Sequence, residues 1–147
     1  MTSGLKSNEL SVGMSLSELK KLVTQQHINL YAEASGDLNP IHIDAEFAKQ
    51  TPLGGTIAHG MLILAYISEF MTASFGQSWL SSGKLSARFK APTRPGDMIT
   101  VTGKITKMQK EDGFISIYCD VLCQNQRSEP VIIGETKVRM RAYEDSN

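Results

Sequence analysis

Between residues 58 and 74 almost every position is apolar. Met61, Leu62, Ile63, Leu64, Ala65, Tyr66, Ile67, Phe70 and Met71 leave no polar face wide enough to meet water. A helix of that kind has to be wrapped by other structure. After it the period switches to two. Leu85, Ala87, Phe89 and Ala91 alternate with Ser86, Arg88 and Lys90, and Ile99, Val101, Gly103 and Ile105 alternate with Thr100, Thr102, Lys104 and Thr106. Ile115, Ile117, Cys119, Val121 and Cys123 form a third apolar face, and Val138, Met140 and Ala142 a fourth. These runs predict four amphipathic strands joined by hairpin-like turns at residues 94–97, 111–113 and 128–130.

Upstream of the apolar helix the pattern is less regular. Thr24 predicts the cap of a helix that runs through Ile28, Tyr31 and Ala32 to about Ser35, where Gly36 stops it. Residues 37–40 read as a turn, because Asp and Asn favour side-chain-to-backbone bonds and Pro40 cannot continue a helix. A short helix is expected over residues 45–50 with Asp44 as its cap, and a fifth strand within residues 16–24. The sum is an α+β domain, an antiparallel sheet wrapped around one buried helix. It is expected to occupy residues 11–143, with flexible ends over residues 1–10 and 144–147.

Composition narrows the partners. Lys and Arg number 15 and Asp and Glu also 15, a formal net charge of +0, which argues against a general nucleic-acid binder. The longest apolar stretch falls far short of the ~20 residues needed to span a membrane, and the polar start carries no secretory pattern. Cys119 and Cys123 share one face of a strand and suit neither a disulfide nor a zinc site, so small core residues in a reducing compartment are expected. The reading is a soluble, cytoplasmic protein.

Two elements carry candidate chemistry. Asp37 and His42 flank the Leu-Asn-Pro-Ile turn, and in a loop both side chains can converge on one point. A carboxylate beside an imidazole can hold and deprotonate a water, since each tunes the other's proton affinity. The pair alone reads more readily as a turn cap beside a surface histidine. The second element is Ile57-Ala58-His59-Gly60, preceded by Gly54 and Gly55, at the start of the apolar helix. Free backbone N–H groups and the positive end of the helix dipole make such a start an anion site. Gly60 would let a substrate approach the backbone, or would only permit tight packing. His59 is expected to order the helix start through hydrogen bonds.

The run Tyr31-Ala-Glu-Ala-Ser-Gly-Asp-Leu-Asn-Pro-Ile-His-Ile-Asp44, followed by Ile57-Ala-His-Gly-Met-Leu62 and Ile67-Ser68, resembles the MaoC-like, (R)-specific enoyl-CoA hydratase family of the hot-dog fold. Phe89, Pro92 and Pro95-Gly96-Asp97 extend the resemblance into the sheet. It implies a sheet around a long central helix, a homodimer joined edge to edge, and reversible hydration of a trans-2-enoyl-CoA to the (R)-3-hydroxyacyl-CoA. Asp37 and His42 fall on the family's catalytic dyad, and Gly60 on the residue whose N–H contacts the thioester oxygen. Ser68 falls on a position associated with hydrogen bonding in the active site, and Asn39 on one that shapes the loop. Coenzyme A enters as part of the substrate, with no metal and no redox cofactor implied. Two other functions compete: a hot-dog thioesterase using Glu69 on the central helix, and a non-catalytic acyl-thioester-binding domain.

Overall fold

The computed structural model describes residues 4–143. The two-residue alternation builds β1 (Leu19–Leu22), β2 (Lys84–Phe89), β3 (Met98–Glu111), β4 (Phe114–Gln124) and β5 (Pro130–Arg141). They form one antiparallel sheet in the order β1-β3-β4-β5-β2. Its inward positions, among them Ile99, Val101, Ile105, Ile117, Val121, Ile132 and Val138, are buried. Strand order corrects one expectation. The turn at residues 94–97 is not a hairpin, because β2 pairs with β5 at one edge while β3 pairs with β1 and β4. The β3–β4 connection is a true hairpin. Asp112 and Gly113 carry positive φ of 44° and 80°, the handedness that tight hairpins favour.

The apolar run forms α4 (Gly60–Phe75), which buries Ile63, Ile67, Phe70 and Met71 against the sheet. A side chain at Gly103 would stand 2.8 Å from the Phe70 ring, so the sheet can close on the helix only because β3 has no Cβ there. The wrapping is incomplete. Met61, Ala65, Glu69 and Ala73 form an exposed line at four-residue spacing, with Met61 57% exposed.

The expected helix is α1 (Gln25–Ser35), with Thr24 Oγ1 accepting from the His27 N–H at 3.1 Å and Gly36 ending it in the left-handed conformation. Two further short helices, α2 (Pro40–Ile43) and α5 (Gln77–Ser82), were not expected. Pro40 does not block α2, because at the first helical position its missing N–H has no partner to lose. Asp44 caps α3 (Ala45–Lys49) as expected, accepting from the Phe47 N–H at 3.1 Å.

The leading segment also differs from expectation. The Leu5 N–H donates to the Ser74 carbonyl at 2.7 Å, Ser7 and Leu10 are buried, and the Tyr143 N–H donates to Ser7 Oγ. Residues 5–10 are therefore docked against the domain rather than loose. Residues 1–3 and 144–147, the outer parts of the expected flexible ends, lie outside the described residues. Both cysteines are free and buried, and burial pushes the Cys119 thiol up to about 11 and that of Cys123 to about 12.

Candidate active site

The loop between α1 and α2 is built by its own side chains. The Asp37 N–H donates to Ser35 Oγ at 3.2 Å, and Asp37 Oδ1 accepts from the Asn39 N–H at 3.3 Å. Asn39 in turn caps α2, its Oδ1 accepting from the Ile41 N–H at 3.2 Å. That single helical turn swings His42 back toward Asp37. His42 Nε2 and Asp37 Oδ2 stand 3.9 Å apart, with the imidazole 11% exposed and the carboxylate 55%.

The tautomer of His42 follows from its other contact. Nδ1 lies 2.8 Å from the Ile57 carbonyl, which can only accept, so Nδ1 carries the proton of the neutral ring. Nε2 is left with its lone pair facing Asp37. At 3.9 Å the two atoms are too far apart for a direct hydrogen bond, yet one water oxygen can lie within bonding distance of both.

His59, the residue at the N-cap of α4, makes no side-chain capping bond, and its hydrogen bond instead ties the helix start to the loop that carries Asp37. Its buried Nε2 donates to the Asp37 carbonyl at 2.9 Å, and its ring stacks under His42 with centroids 3.8 Å apart and planes 26° apart. It supports both members of the pair at once. Asp37, His42 and His59 each offer a ligand atom within 4.8 Å of the others, a spacing that a cation could use. The ring orientations do not suit one. Lone pairs lie in the ring planes, and in nearly parallel stacked rings they run side by side instead of converging. One nitrogen of each ring is already committed to a carbonyl.

Gly60 opens α4 one residue after His59, so its N–H belongs to the first turn, which has no intrahelical acceptor. Beside it lies a groove of about 370 Å³ whose lining includes Ile57, Gly60, Ile63, Phe89, Pro92 and Thr93. A Cβ at Gly60 would stand 2.9 Å from Phe89 Cε1, so the glycine serves close packing on that ring as well as access to the backbone. The chain preceding Gly60 is pinned from both sides. The Ile57 N–H donates to the Ile41 carbonyl at 3.2 Å, and the Ala58 N–H to the Thr93 carbonyl at 2.7 Å. Ser68 does not join this group. Its Oγ accepts from Trp79 Nε1 at 3.0 Å and anchors α5 instead.

Residues 8–122 match the family model for the MaoC like domain. The chain belongs to the MaoC-like domain family. An (R)-specific enoyl-CoA hydratase of Rhodospirillum rubrum is 33% identical to it over 136 residues, 91% of this chain and 90% of that protein. A 3-hydroxybutyryl-CoA dehydratase of Methylorubrum extorquens is 30% identical over 142 residues, covering 95% and 86%. Among solved structures, the unliganded R-hydratase PhaJ1 of Pseudomonas aeruginosa aligns with a TM-score of 0.79 at 28% identity, covering 96% of this chain and 88% of that one. The sheet wrapped on α4 is thus the hot-dog fold.

Within this MaoC-like domain the structure brings together Asp37, His42 and Asn39 of the residues expected from the sequence and sets Gly60 directly after His59, while the carbonyl of Ile57 and the stacking of His59 on His42 were not expected. Backbone acceptors leave no signature in side-chain identity, which is why Ile57 was invisible. Asn39→Ala is expected to lower stability by about 1 kcal/mol through loss of the cap. It should also cut turnover several-fold by loosening α2 under His42. Thermal melts and initial rates on an enoyl-CoA check the two effects separately.

Proposed function

We propose that this MaoC-like domain reversibly hydrates a trans-2-enoyl-CoA to the (R)-3-hydroxyacyl-CoA. The observation that carries this reading is the placement of His42 Nε2 3.9 Å from Asp37 Oδ2, with Nδ1 held on the Ile57 carbonyl and the ring stacked on His59, the residue that precedes α4. Water held between Nε2 and Oδ2 gives a proton to Nε2 as its oxygen bonds to C3 of the enoyl group. The C2=C3 electron pair moves toward the thioester, and the Gly60 N–H stabilises the oxygen that gains charge. The dyad then returns the proton to C2 on the same face, so the net change is one water added. The relatives named as a hydratase and a dehydratase support both directions of one step.

Coenzyme A enters only as the carrier of the acyl group, and the chemistry calls for no metal and no redox cofactor. A homodimer is supported by the free edges of β1 and β2 and by the exposed Met61 and Phe89. No helix among the described residues is long and apolar enough to cross a membrane. The free cysteines fit a reducing cytoplasm.

Glu69, the residue that the thioesterase alternative needs, lies away from the Asp37–His42 pair. Glu69 Oε2 is paired with Lys21 Nζ at 2.9 Å, and it sits about 13 Å along the helix axis from Gly60. Glu69→Gln is expected to leave hydration within about twofold of wild type, as a surface change remote from the site should. The test follows enone absorbance and free thiol together over a series of enoyl-CoA chain lengths. Loss of absorbance without thiol release supports the hydratase. Thiol release that disappears in Glu69→Gln would make the protein a thioesterase, and no change in either signal would leave only a binding domain.

A further inference from the structure

Gln25, in the first turn of α1, uses its amide on both the backbone of His42 and the segment that holds the His42 ring. Its Nε2 donates to the His42 carbonyl at 2.8 Å and to Asn29 Oδ1 at 2.9 Å, while its Oε1 accepts from Thr56 Oγ1 at 2.7 Å. Both donors and one acceptor site are engaged, so the amide has one satisfactory orientation. Flipping it would set Oε1 against two acceptors. Thr56 directly precedes Ile57, whose carbonyl fixes His42 Nδ1. One side chain therefore joins the main chain of His42 to the strand of backbone that orients its imidazole.

We infer that Gln25 is a positioning residue for His42. The inference rests on the hydratase reading above. α2 has four residues, too few to hold a helical shape by themselves. Its end depends on outside partners, and the His42 carbonyl is one of the orphan acceptors that a helix C-terminus leaves. Gln25 supplies the donor from α1, a longer helix with its own cap and stop. Without it the His42 main chain can drift while the ring stays tethered at Nδ1. Nε2 would then rotate relative to Asp37, and the water it shares with that carboxylate would lose its aim at C3. Because Gln25 reaches only backbone, Asn29 and Thr56 in this network, its loss should act on turnover more than on substrate binding.

The test measures kcat, KM and Tm for the full-length protein and four variants, using whichever member of a series of enoyl-CoAs, from crotonyl-CoA upward, the wild-type protein hydrates fastest. Gln25→Ala is expected to lower kcat about tenfold with KM within about twofold, the scale of a small misplacement of a catalytic group. Thr56→Val should lower kcat in the same direction, and the double variant should fall no further than Gln25→Ala, because both break one network. Thr24→Ala removes the cap of the same helix. It should lower Tm at least as much as Gln25→Ala while keeping wild-type kcat, separating positioning from loss of helix stability. Wild-type kcat in Gln25→Ala overturns the inference, and so does a fall in kcat for Thr24→Ala that tracks its loss of Tm. If the wild-type protein hydrates no enoyl-CoA, the hydratase reading fails and takes this inference with it. If it does hydrate and Gln25→Ala matches it, the inference alone fails.

Discussion

Asp37→Asn is expected to lower the hydration rate by about 10²–10⁴ while leaving the melting temperature nearly unchanged. The substitution keeps the shape of the side chain and its acceptor oxygen, so the bond from the Asn39 N–H and the turn it closes persist. What disappears is the negative charge 3.9 Å from His42 Nε2, and with it the stabilisation of the imidazolium formed when water is deprotonated. His42→Ala should cost at least as much rate. It also removes the ring stacked on His59 and the bond to the Ile57 carbonyl, so a stability loss of about 1–2 kcal/mol accompanies it. The double variant should be little slower than His42→Ala alone, since the two groups hold one water and act as a unit. Initial rates with crotonyl-CoA beside thermal melts give both quantities. A near-normal rate in Asp37→Asn would remove the carboxylate from the mechanism.

Gly60→Ala is expected to approach the about 10²–10³ loss seen when an oxyanion donor is displaced. The added methyl would stand 2.9 Å from Phe89 Cε1 and intrude on the groove beside the first turn of α4. Phe89 is 55% exposed, so its ring can give way and the fold should survive. The two meanings of Gly60, backbone access and close packing, separate in the pair Gly60→Ala/Phe89→Ala. Removing the ring relieves the clash. If Gly60 serves only packing, the pair recovers the rate of Phe89→Ala alone. If its N–H receives the thioester oxygen, the pair stays slow relative to Phe89→Ala, and kcat carries the deficit.

The parts of the fold legible in the sequence were those fixed by local rules. Thr24 and Gly36 marked both ends of α1, and the alternation from Leu85 to Ala142 marked four strands. Pro40 forbids a helix interior but not a helix start, and Asn39 before it caps α2 so that proline falls at the first helical position. α5 escaped because six residues between Gly76 and Gly83 carry too little periodicity to register. Strand order was illegible for another reason. Alternation tells which face a strand buries but not which neighbour it pairs with, so β2 was expected beside β3 instead of β5. The site divides along the same line. Asp37 and His42 share one turn and were legible together, whereas Ile57, His59 and Gln25 reach them from 15, 22 and 17 positions away.

The docked start of the chain illustrates the limit of composition. Residues 5–10 look like a polar end, yet Leu5 and Leu10 pack on the core and Ser7 accepts from Tyr143 near the far end of the described chain. Ser68 is the converse case. The family resemblance associates it with hydrogen bonding in the active site, and the structure shows its Oγ accepting from the Trp79 indole N–H, a partner eleven positions away that the sequence did not suggest.

The central claim is that Asp37 and His42 add water to an enoyl thioester on one face. It is tested most directly by incubating the wild-type protein with crotonyl-CoA in D2O and analysing the product by chiral separation and mass spectrometry. The account predicts loss of enone absorbance and a single enantiomer, (R)-3-hydroxybutyryl-CoA, with one deuterium fixed at C2. A product of mixed configuration at C3, or absorbance unchanged with crotonyl-CoA and with longer enoyl-CoAs alike, would contradict it.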